Sequence, residues 1–167
     1  MDGNPAAVLR LVRPTVMDLG WLAMHMRADE IAQYLALTDA DRYDPDTAAR
    51  GFAAIPGISF ALMAPDGMPV CAGGFEPVRP GIWQTWMVGT DDGWACWWRG
   101  ITKHTRRVMD AVLAQPGTRR IQTNALASRT GAHEWYRRGL GMRYEGLWHA
   151  FGKGGEDVMC FARTRGQ

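Results

Sequence analysis

The chain has 167 residues, of which 47% are hydrophobic and 22% are charged, a balance typical of a soluble globular protein. This composition excludes a disordered, collagen-like or coiled-coil chain, and the length suits a single domain spanning residues 1–167. The formal net charge of +2 is too small to indicate nucleic-acid binding by itself.

Neither the start of the chain nor its metal-ligating residue types point to a special compartment or cofactor. The first residues lack the long apolar run of a secretory signal, and no window is apolar enough to cross a membrane. The cysteines and histidines do not occur at spacings that hold a metal ion, so no metal site is predicted. The expected location is therefore the cytoplasm.

Apolar periodicity predicts a strand, helices and a three-stranded meander in the first half of the chain. Alternation predicts the first strand at residues 8–12, and helical spacing from Val16 predicts two helices with a break around residues 27–29. A further short helix is predicted after Asp46. The meander strands are predicted at residues 58–64, 68–75 and 82–88.

Helices and strands alternate in the second half. A loop is predicted from Gly89, followed by a long helix that starts at about residue 94 or residue 99 and ends at Ala114. A strand at 119–126, a helix at 131–138 and two closing strands at 144–150 and 158–163 complete the chain. The main elements follow the order β-α-α-β-β-β-α-β-α-β-β, which predicts an α/β (α+β) fold with one mixed sheet covered by helices.

Three segments of the chain carry a family resemblance, and they read LRLVRPTVMDL, FALMAPDGMPVCAGGF and NALASRTGAHEWYRRGLGMRYEG. The first resembles the opening strand and helix of the GNAT superfamily of N-acetyltransferases, and the second resembles its second and third strands. The third resembles the end of its fifth strand and the helix that follows. The resemblance implies a GNAT-like three-layer domain whose sheet is mostly antiparallel, with strands 4 and 5 parallel. It also implies acetyl transfer from acetyl-CoA to an amine, on a small molecule or a protein.

Two further segments, WQTWMVGT and MRADEIAQY, resemble the divergent GNAT-like proteins of tailed bacteriophages, some of which are internal virion proteins. This resemblance implies a phage-encoded protein in the host cytoplasm or the virion. It also implies an alternative function, in which the chain is a non-catalytic virion component that contacts other virion proteins.

The segment after the fourth strand departs from the GNAT pattern. Most GNAT enzymes have glycines there, which let backbone N–H groups approach the pyrophosphate of acetyl-CoA. Here the segment reads GTDDGWACWWRG, and Asp91 and Asp92 would repel a pyrophosphate. We expect residues 89–100 to form an ordered loop that folds over the opening between strands 4 and 5.

The resemblance also implies roles for individual residues. Tyr136 matches the tyrosine that protonates the leaving thiolate, although its spacing to Gly139-Leu140 is one residue longer than usual. Glu76, at the end of the third strand, is the candidate base; a solvated turn carboxylate is its alternative. The residues predicted to bind acetyl-CoA are Val88, Arg99, Gly100, Thr102 and Asn124.

Tryptophans are concentrated between residues 83 and 98. Trp83 and Trp86 are three positions apart, so they must lie on opposite faces of one strand. Trp94, Trp97 and Trp98 have helical spacing, and packing into the domain is their simplest interpretation. A protein-contact surface is the main alternative, because tryptophan is enriched in interface hot spots, and stacking on nucleobases is a third.

Overall fold

A computed structural model describes residues 8–166. The chain forms one seven-stranded sheet with the strand order β1-β2-β3-β4-β5-β7-β6. The strands are β1 (Arg10–Val12), β2 (Ile58–Met63), β3 (Pro69–Arg79), β4 (Ile82–Gly89), β5 (Arg120–Leu126), β6 (Arg143–Trp148) and β7 (Val158–Thr164). The helices are α1 (Val16–Met24), α2 (Ala28–Leu37), α3 (Pro45–Ala54), α4 (Asp91–Ala114) and α5 (Thr130–Glu134), and α5 continues as a π-helical turn, Trp135–Gly139.

The sheet has the predicted mixed topology. Strands β2, β3 and β4 form an antiparallel meander, and β5, β7 and β6 are also joined antiparallel. The pairing of β4 with β5 is parallel, as predicted, and α4 connects these two strands. The fold prediction is therefore confirmed, with α3 as the short third helix before β2.

Helices cover both faces of the sheet, which produces the predicted three layers. On one face α1 and α3 enclose a core that includes Leu22 and Ala72, and on the other α4 packs over a core that includes Ile101 and Phe161. Trp83 packs against the α4 side and Trp86 against the α1–α3 side. The prediction that these two tryptophans lie on opposite faces is confirmed.

The start of α4 differs from the prediction. The segment expected to be a loop, residues 89–100, is helical from Asp91 onward, and the preceding Thr90 caps the helix. The helix therefore begins about one turn earlier than the earlier of the two predicted starts. Within residues 8–166, no helix is long and apolar enough to span a membrane. The prediction that the chain lacks a secretory signal rests in part on residues 1–7, which lie outside the described residues, as does residue 167.

Candidate active site

The two parallel strands at the centre of the sheet separate after three residue pairs. β4 pairs with β5 from Ile82 to Gln84, and from there β4 continues to Gly89 without β5 beside it. A side-chain bond bridges the start of the gap, where the Thr123 hydroxyl donates to the Thr85 carbonyl over 3.1 Å. The separation opens a V-shaped gap in the sheet.

Two cavities meet at this gap. The first, here called the α2–α3 cavity, has a volume of about 180 Å³ and is lined by residues of α2, α3, β4 and β5 that include Tyr34, Phe52 and Trp86. The second, here called the aromatic cleft, has a volume of about 490 Å³ and lies between the starts of α4 and α5. The described residues that line both are Glu30, Met87, Arg129 and Tyr136. These four residues form the wall that a ligand in either cavity would touch.

Glu30, on α2, is a buried carboxylate in this wall. Its side chain is 4% exposed, and its Oε2 accepts a hydrogen bond from the Gly89 backbone N–H over 2.9 Å. Burial raises the pKa of Glu30 from 4.5 to about 7, although the Gly89 N–H and the charges of Arg129 and Arg27 act in the opposite direction. A carboxyl group with this pKa exchanges a proton near neutral pH, as a general base or acid must.

Arg129 joins α2 to the turn between β5 and α5. Its Nε donates to Asp29 Oδ2 over 2.8 Å, and its Nη1 donates to Gln33 Oε1 over 2.9 Å. Its Nη2 lies 3.7 Å from Glu30 Oε1, and the side chain is only 7% exposed. Burial acts to raise the pKa of Asp29, but the hydrogen bond and charge of Arg129 hold it below its usual value. This network fixes Glu30 across the open end of the gap.

Tyr136 is the residue that α5 and its π-helical continuation contribute to the wall, and the π-helical turn positions it there. The turn covers Trp135–Gly139, and the Leu140 N–H donates to the Trp135 carbonyl over 3.0 Å. It absorbs the extra residue between Tyr136 and Gly139-Leu140, so that Tyr136 and Leu140 are both buried. Burial raises the pKa of Tyr136, while Arg129 and a hydrogen bond with Thr123 act against this rise. The phenol therefore keeps its proton at neutral pH.

Tryptophans form the aromatic cleft. The rings of Trp94 and Trp135 meet edge to face with centroids 4.9 Å apart. Trp135 Nε1 donates to Thr102 Oγ1 over 2.8 Å, and Thr102 Oγ1 donates to the Trp98 carbonyl over 2.7 Å. Trp94 and Trp97 pack partly buried against the core, whereas Trp98 is 52% exposed. The three tryptophans therefore do not all serve to fill the core.

The first turn of α4 is acidic and closed by its own cap. The Gly93 N–H donates to Thr90 Oγ1 over 2.9 Å, and the Trp94 N–H donates to the Thr90 carbonyl over 3.0 Å. Asp91 and Asp92 occupy the two positions between Thr90 and Gly93, and both are exposed. Carboxylates at this position stabilise the helix, because they interact favourably with its dipole.

The acyl end and the nucleotide end of an acyl-CoA fit this site differently. The aromatic cleft offers apolar surface beside the wall, which suits a pantetheine arm that carries an acyl group. The α4 N-terminus does not suit a pyrophosphate, because two carboxylates lie in its first turn. Gly93 is not a phosphate cradle either, since an added Cβ would lie 2.5 Å from the Val70 carbonyl oxygen. Packing of α4 on β3 therefore explains this glycine.

The predicted cofactor residues on α4 lie in the interior of the helix. Arg99, Gly100 and Thr102 are two or more turns from its start, where backbone N–H groups bond within the helix. The loop expected over residues 89–100 is helical from Asp91 instead, and the cofactor role of these three residues stays a prediction. The Arg99 guanidinium lies over the Trp98 ring, and Gly100 packs closely on Leu9.

Two of the other predicted residues lie at the wall, and one does not. Val88 and Asn124 line the α2–α3 cavity. Glu76 pairs with Gln84 across β3 and β4 and is not among the described residues that line either cavity. The structure thus brings Tyr136, Val88 and Asn124 together.

Sequence reasoning missed Glu30 and Arg129. In the sequence, Glu30 is an ordinary member of an amphipathic helix. The acidic pair Asp29-Glu30, directly after the helix break, was the one feature that could have indicated a functional carboxylate. Arg129 follows the fifth strand in a turn, where functional side chains are common.

Comparisons with solved structures identify the fold, whereas comparisons of the sequence find no match. No protein-family model matches the sequence, and no curated protein sequence matches it. A GNAT-family acetyltransferase structure from Bacillus anthracis aligns with a TM-score of 0.71 at 12% identity, covering 96% of each chain. Spermidine N-acetyltransferase from Vibrio cholerae, solved with CoA and spermine, aligns at 0.70 and 12% identity over 94% of this chain and 95% of its own.

A third similar structure is AAC(6')-Ib, solved with ribostamycin and coenzyme A. It aligns with a TM-score of 0.69 at 16% identity, over 95% of this chain and 94% of its own. Likeness at such low identity establishes a shared fold. The chain therefore has the fold of the GNAT acetyltransferases.

Proposed function

We propose that this protein is an N-acyltransferase that moves an acyl group, acetyl in the simplest case, from a thioester donor to an amine. The observation that carries the proposal is the wall of Glu30, Met87, Arg129 and Tyr136, at which two separate cavities meet. Transfer between two substrates needs such a meeting point, because each must reach the same reacting atoms from its own side. The fold supports the proposal.

Glu30 is the residue we assign to remove a proton from the acceptor. An amine attacks a carbonyl only as the free base, so its ammonium form must first lose a proton. Glu30 faces both cavities, and its raised pKa of about 7 makes it half ionised at neutral pH. The Gly89 N–H bonds Oε2, whereas Oε1 lies 3.7 Å from Arg129 and 3.9 Å from Arg27, beyond hydrogen-bond distance, so we assign Oε1 to take the proton of the amine.

Tyr136 is the residue we assign to give a proton to the leaving group. An acyl thioester supplies an activated carbonyl and leaves a thiolate, which is better expelled when a proton is at hand. The Tyr136 hydroxyl is buried in the wall and stays protonated, so it can act as this acid; the proton that the attacking nitrogen loses as the amide forms restores it. Arg129 lies beside both groups and adds a fixed positive charge where negative charge develops.

The cavities divide the two substrates. The aromatic cleft is the larger and holds apolar surface, so we assign the thioester arm to it. The α2–α3 cavity combines aromatic rings, including Phe52 stacked on Trp86 with centroids 5.5 Å apart, with the polar side chains of Gln84 and Asn124. These groups suit an amine, and two of the similar structures hold the amine-bearing molecules spermine and ribostamycin.

The test is transfer to a panel of primary amines, with acetyl-CoA and S-acetyl-pantetheine each offered as donor and products identified by mass spectrometry. Glu30→Gln should lower kcat by about 100-fold or more, since it removes the base but keeps the shape. Glu134→Gln is the matched control, because this exposed carboxylate is not among the described residues that line either cavity, and it should leave kcat unchanged. No product with either donor, or equal losses in both variants, would refute the assignment.

A second function is proposed as an alternative, namely a non-catalytic phage virion protein. The observations that favour it are the acidic start of α4 and the exposed Trp98, which offers a hydrophobic contact to another protein. Mass spectrometry of purified phage particles from the source tests it. Its presence in particles together with the absence of transferase activity would support the alternative, and its absence from particles would exclude it.

A further inference from the structure

The start of α4, beside the aromatic cleft, carries more carboxylates than cations. The Arg27 guanidinium lies 3.2 Å from Asp91, 3.6 Å from Asp29 and 3.9 Å from Glu30. Arg129 contacts two of the same carboxylates as Arg27, those of Asp29 and Glu30. These cations are therefore already paired with carboxylates.

Asp92 adds to this excess at the start of α4, where it lines a neighbouring cavity with Asp91 rather than the aromatic cleft. It lies in the first turn of α4 beside Asp91, and its side chain is exposed. A pyrophosphate at this end of α4 would meet these carboxylates instead of unpaired cations, and like charges at such distances repel. The Thr90 cap already takes the Gly93 N–H, so this donor is also engaged.

The inside of the cleft has the opposite character. Its walls include the rings of Trp94, Trp98 and Trp135, together with Ala132. The bond from Trp135 to Thr102 ties the two walls together and holds the rings in place. A rigid apolar cleft binds an uncharged chain well, because little ordering is needed on binding.

From this contrast we infer that the protein recognises its donor by the acyl-pantetheine arm alone. The preferred donor class is an acyl thioester on a neutral pantetheine-like arm, without the nucleotide diphosphate of CoA. This inference rests on the proposed function, since it names the donor of the same reaction. The aromatic cleft is the binding site, and the acidic start of α4 selects against a nucleotide.

The direct test is titration calorimetry of the purified protein with S-acetyl-pantetheine, acetyl-CoA and adenosine 3′,5′-bisphosphate. We expect acetyl-CoA to bind no more tightly than S-acetyl-pantetheine at low ionic strength. Added salt should then strengthen acetyl-CoA binding, because it screens the repulsion, and leave S-acetyl-pantetheine unaffected. The bisphosphate should not compete with either ligand.

Charge-removing variants of the α4 start make the test specific. Asp91→Asn combined with Asp92→Asn should tighten acetyl-CoA binding by about threefold or more, with S-acetyl-pantetheine unchanged. Asp92→Asn alone serves if the double variant does not fold. Asp46→Asn is the matched control, because this exposed carboxylate occupies the first turn of α3, and it should change neither affinity.

The outcomes separate this inference from the proposed function. Acetyl-CoA binding about tenfold or more tighter than S-acetyl-pantetheine, with competition by the bisphosphate, would overturn the inference and leave the transferase proposal intact. An unchanged affinity for acetyl-CoA in the Asp variants would also overturn it. Failure of both thioesters to bind would refute the inference and the proposed function together.

Discussion

Replacing Glu30 with Gln should change how the stability of the protein depends on pH. The pKa of Glu30 is raised from 4.5 to about 7 in the folded state, mainly by burial. Over this range the folded chain holds a proton that the unfolded chain has lost. The contribution of this group to stability is therefore full below pH 4.5 and is lost as the pH rises to about 7. The loss amounts to about 3 kcal/mol above pH 7.

Urea unfolding of the wild type and Glu30→Gln at several pH values between 4 and 8 measures this effect. The Gln side chain is neutral at every pH and its Oε1 can still accept the Gly89 N–H, so the variant lacks this titration. The free energy of unfolding of the variant, minus that of the wild type, should rise by about 3 kcal/mol from pH 4 to pH 8. The variant also loses the contacts of the Glu30 carboxylate with Arg129 and Arg27. This loss shifts the difference in unfolding free energy by a constant amount and adds no such pH dependence.

The difference between the two proteins isolates Glu30, because other groups titrate in both. His133 and His104 have lowered pKa values in the folded state, mainly through burial, and therefore favour stability at higher pH. They act in the opposite direction to Glu30 but cancel in the difference. Parallel curves for wild type and variant would show that Glu30 is not a buried carboxyl group of raised pKa, and the reasoning would fail.

Three further predictions concern other parts of the molecule. Tyr136→Phe should lower kcat by about 10-fold or more with donor affinity unchanged in calorimetry, and an unchanged rate would remove this hydroxyl from the mechanism. Arg129→Ala should lower the free energy of unfolding by about 3 kcal/mol in urea, since it removes a buried guanidinium that bonds Asp29 and Gln33 and lies beside buried Glu30; a loss below about 1 kcal/mol would contradict the structural role of this network. Gly93→Ala should destabilise by about 1–3 kcal/mol because its Cβ would meet the Val70 carbonyl, whereas Gly20→Ala, in open space on α1, should stabilise slightly. Equal effects of the two glycine substitutions would refute the packing explanation for Gly93.

The fold could be predicted because its signals are local. Strand alternation and turn residues locate the meander, and these features depend on neighbours in the sequence. The three-residue spacing of Trp83 and Trp86 alone fixes their opposite faces. The element order then leaves few arrangements of one mixed sheet.

The predicted start of α4 was wrong because two local signals compete in this segment. Gly89, Gly93 and Gly100 favour a loop, and a glycine-containing loop is also what the family resemblance suggests. Thr90 followed by Asp91 is, however, the usual signature of a helix start, with a capping hydroxyl and an acidic first turn. The helix prevails because Gly93 is required by packing against β3, where no side chain fits.

The candidate base could not be predicted because its character arises from tertiary structure. In the sequence Glu30 is one of several charged residues on a helix. Its burial depends on the first turn of α2 lying beside the end of β4, where Gly89 supplies a backbone N–H, and on Arg129, which comes from a turn about a hundred positions later. A pKa near neutrality follows from these contacts, which no spacing rule contains.

Tyr136 shows how the fold can accommodate a departure from the expected spacing without losing the site. One extra residue in a regular α-helix would rotate everything beyond it by about 100°, so either Tyr136 or Leu140 would leave its place. The π-helical turn takes up the residue locally, and Tyr136 still faces the wall while Leu140 stays in the core. Such turns have weaker backbone geometry than α-helix and occur frequently at functional sites. The turn therefore supports the assignment of Tyr136 to the reaction, because core packing alone would be satisfied by a regular helix one residue shorter.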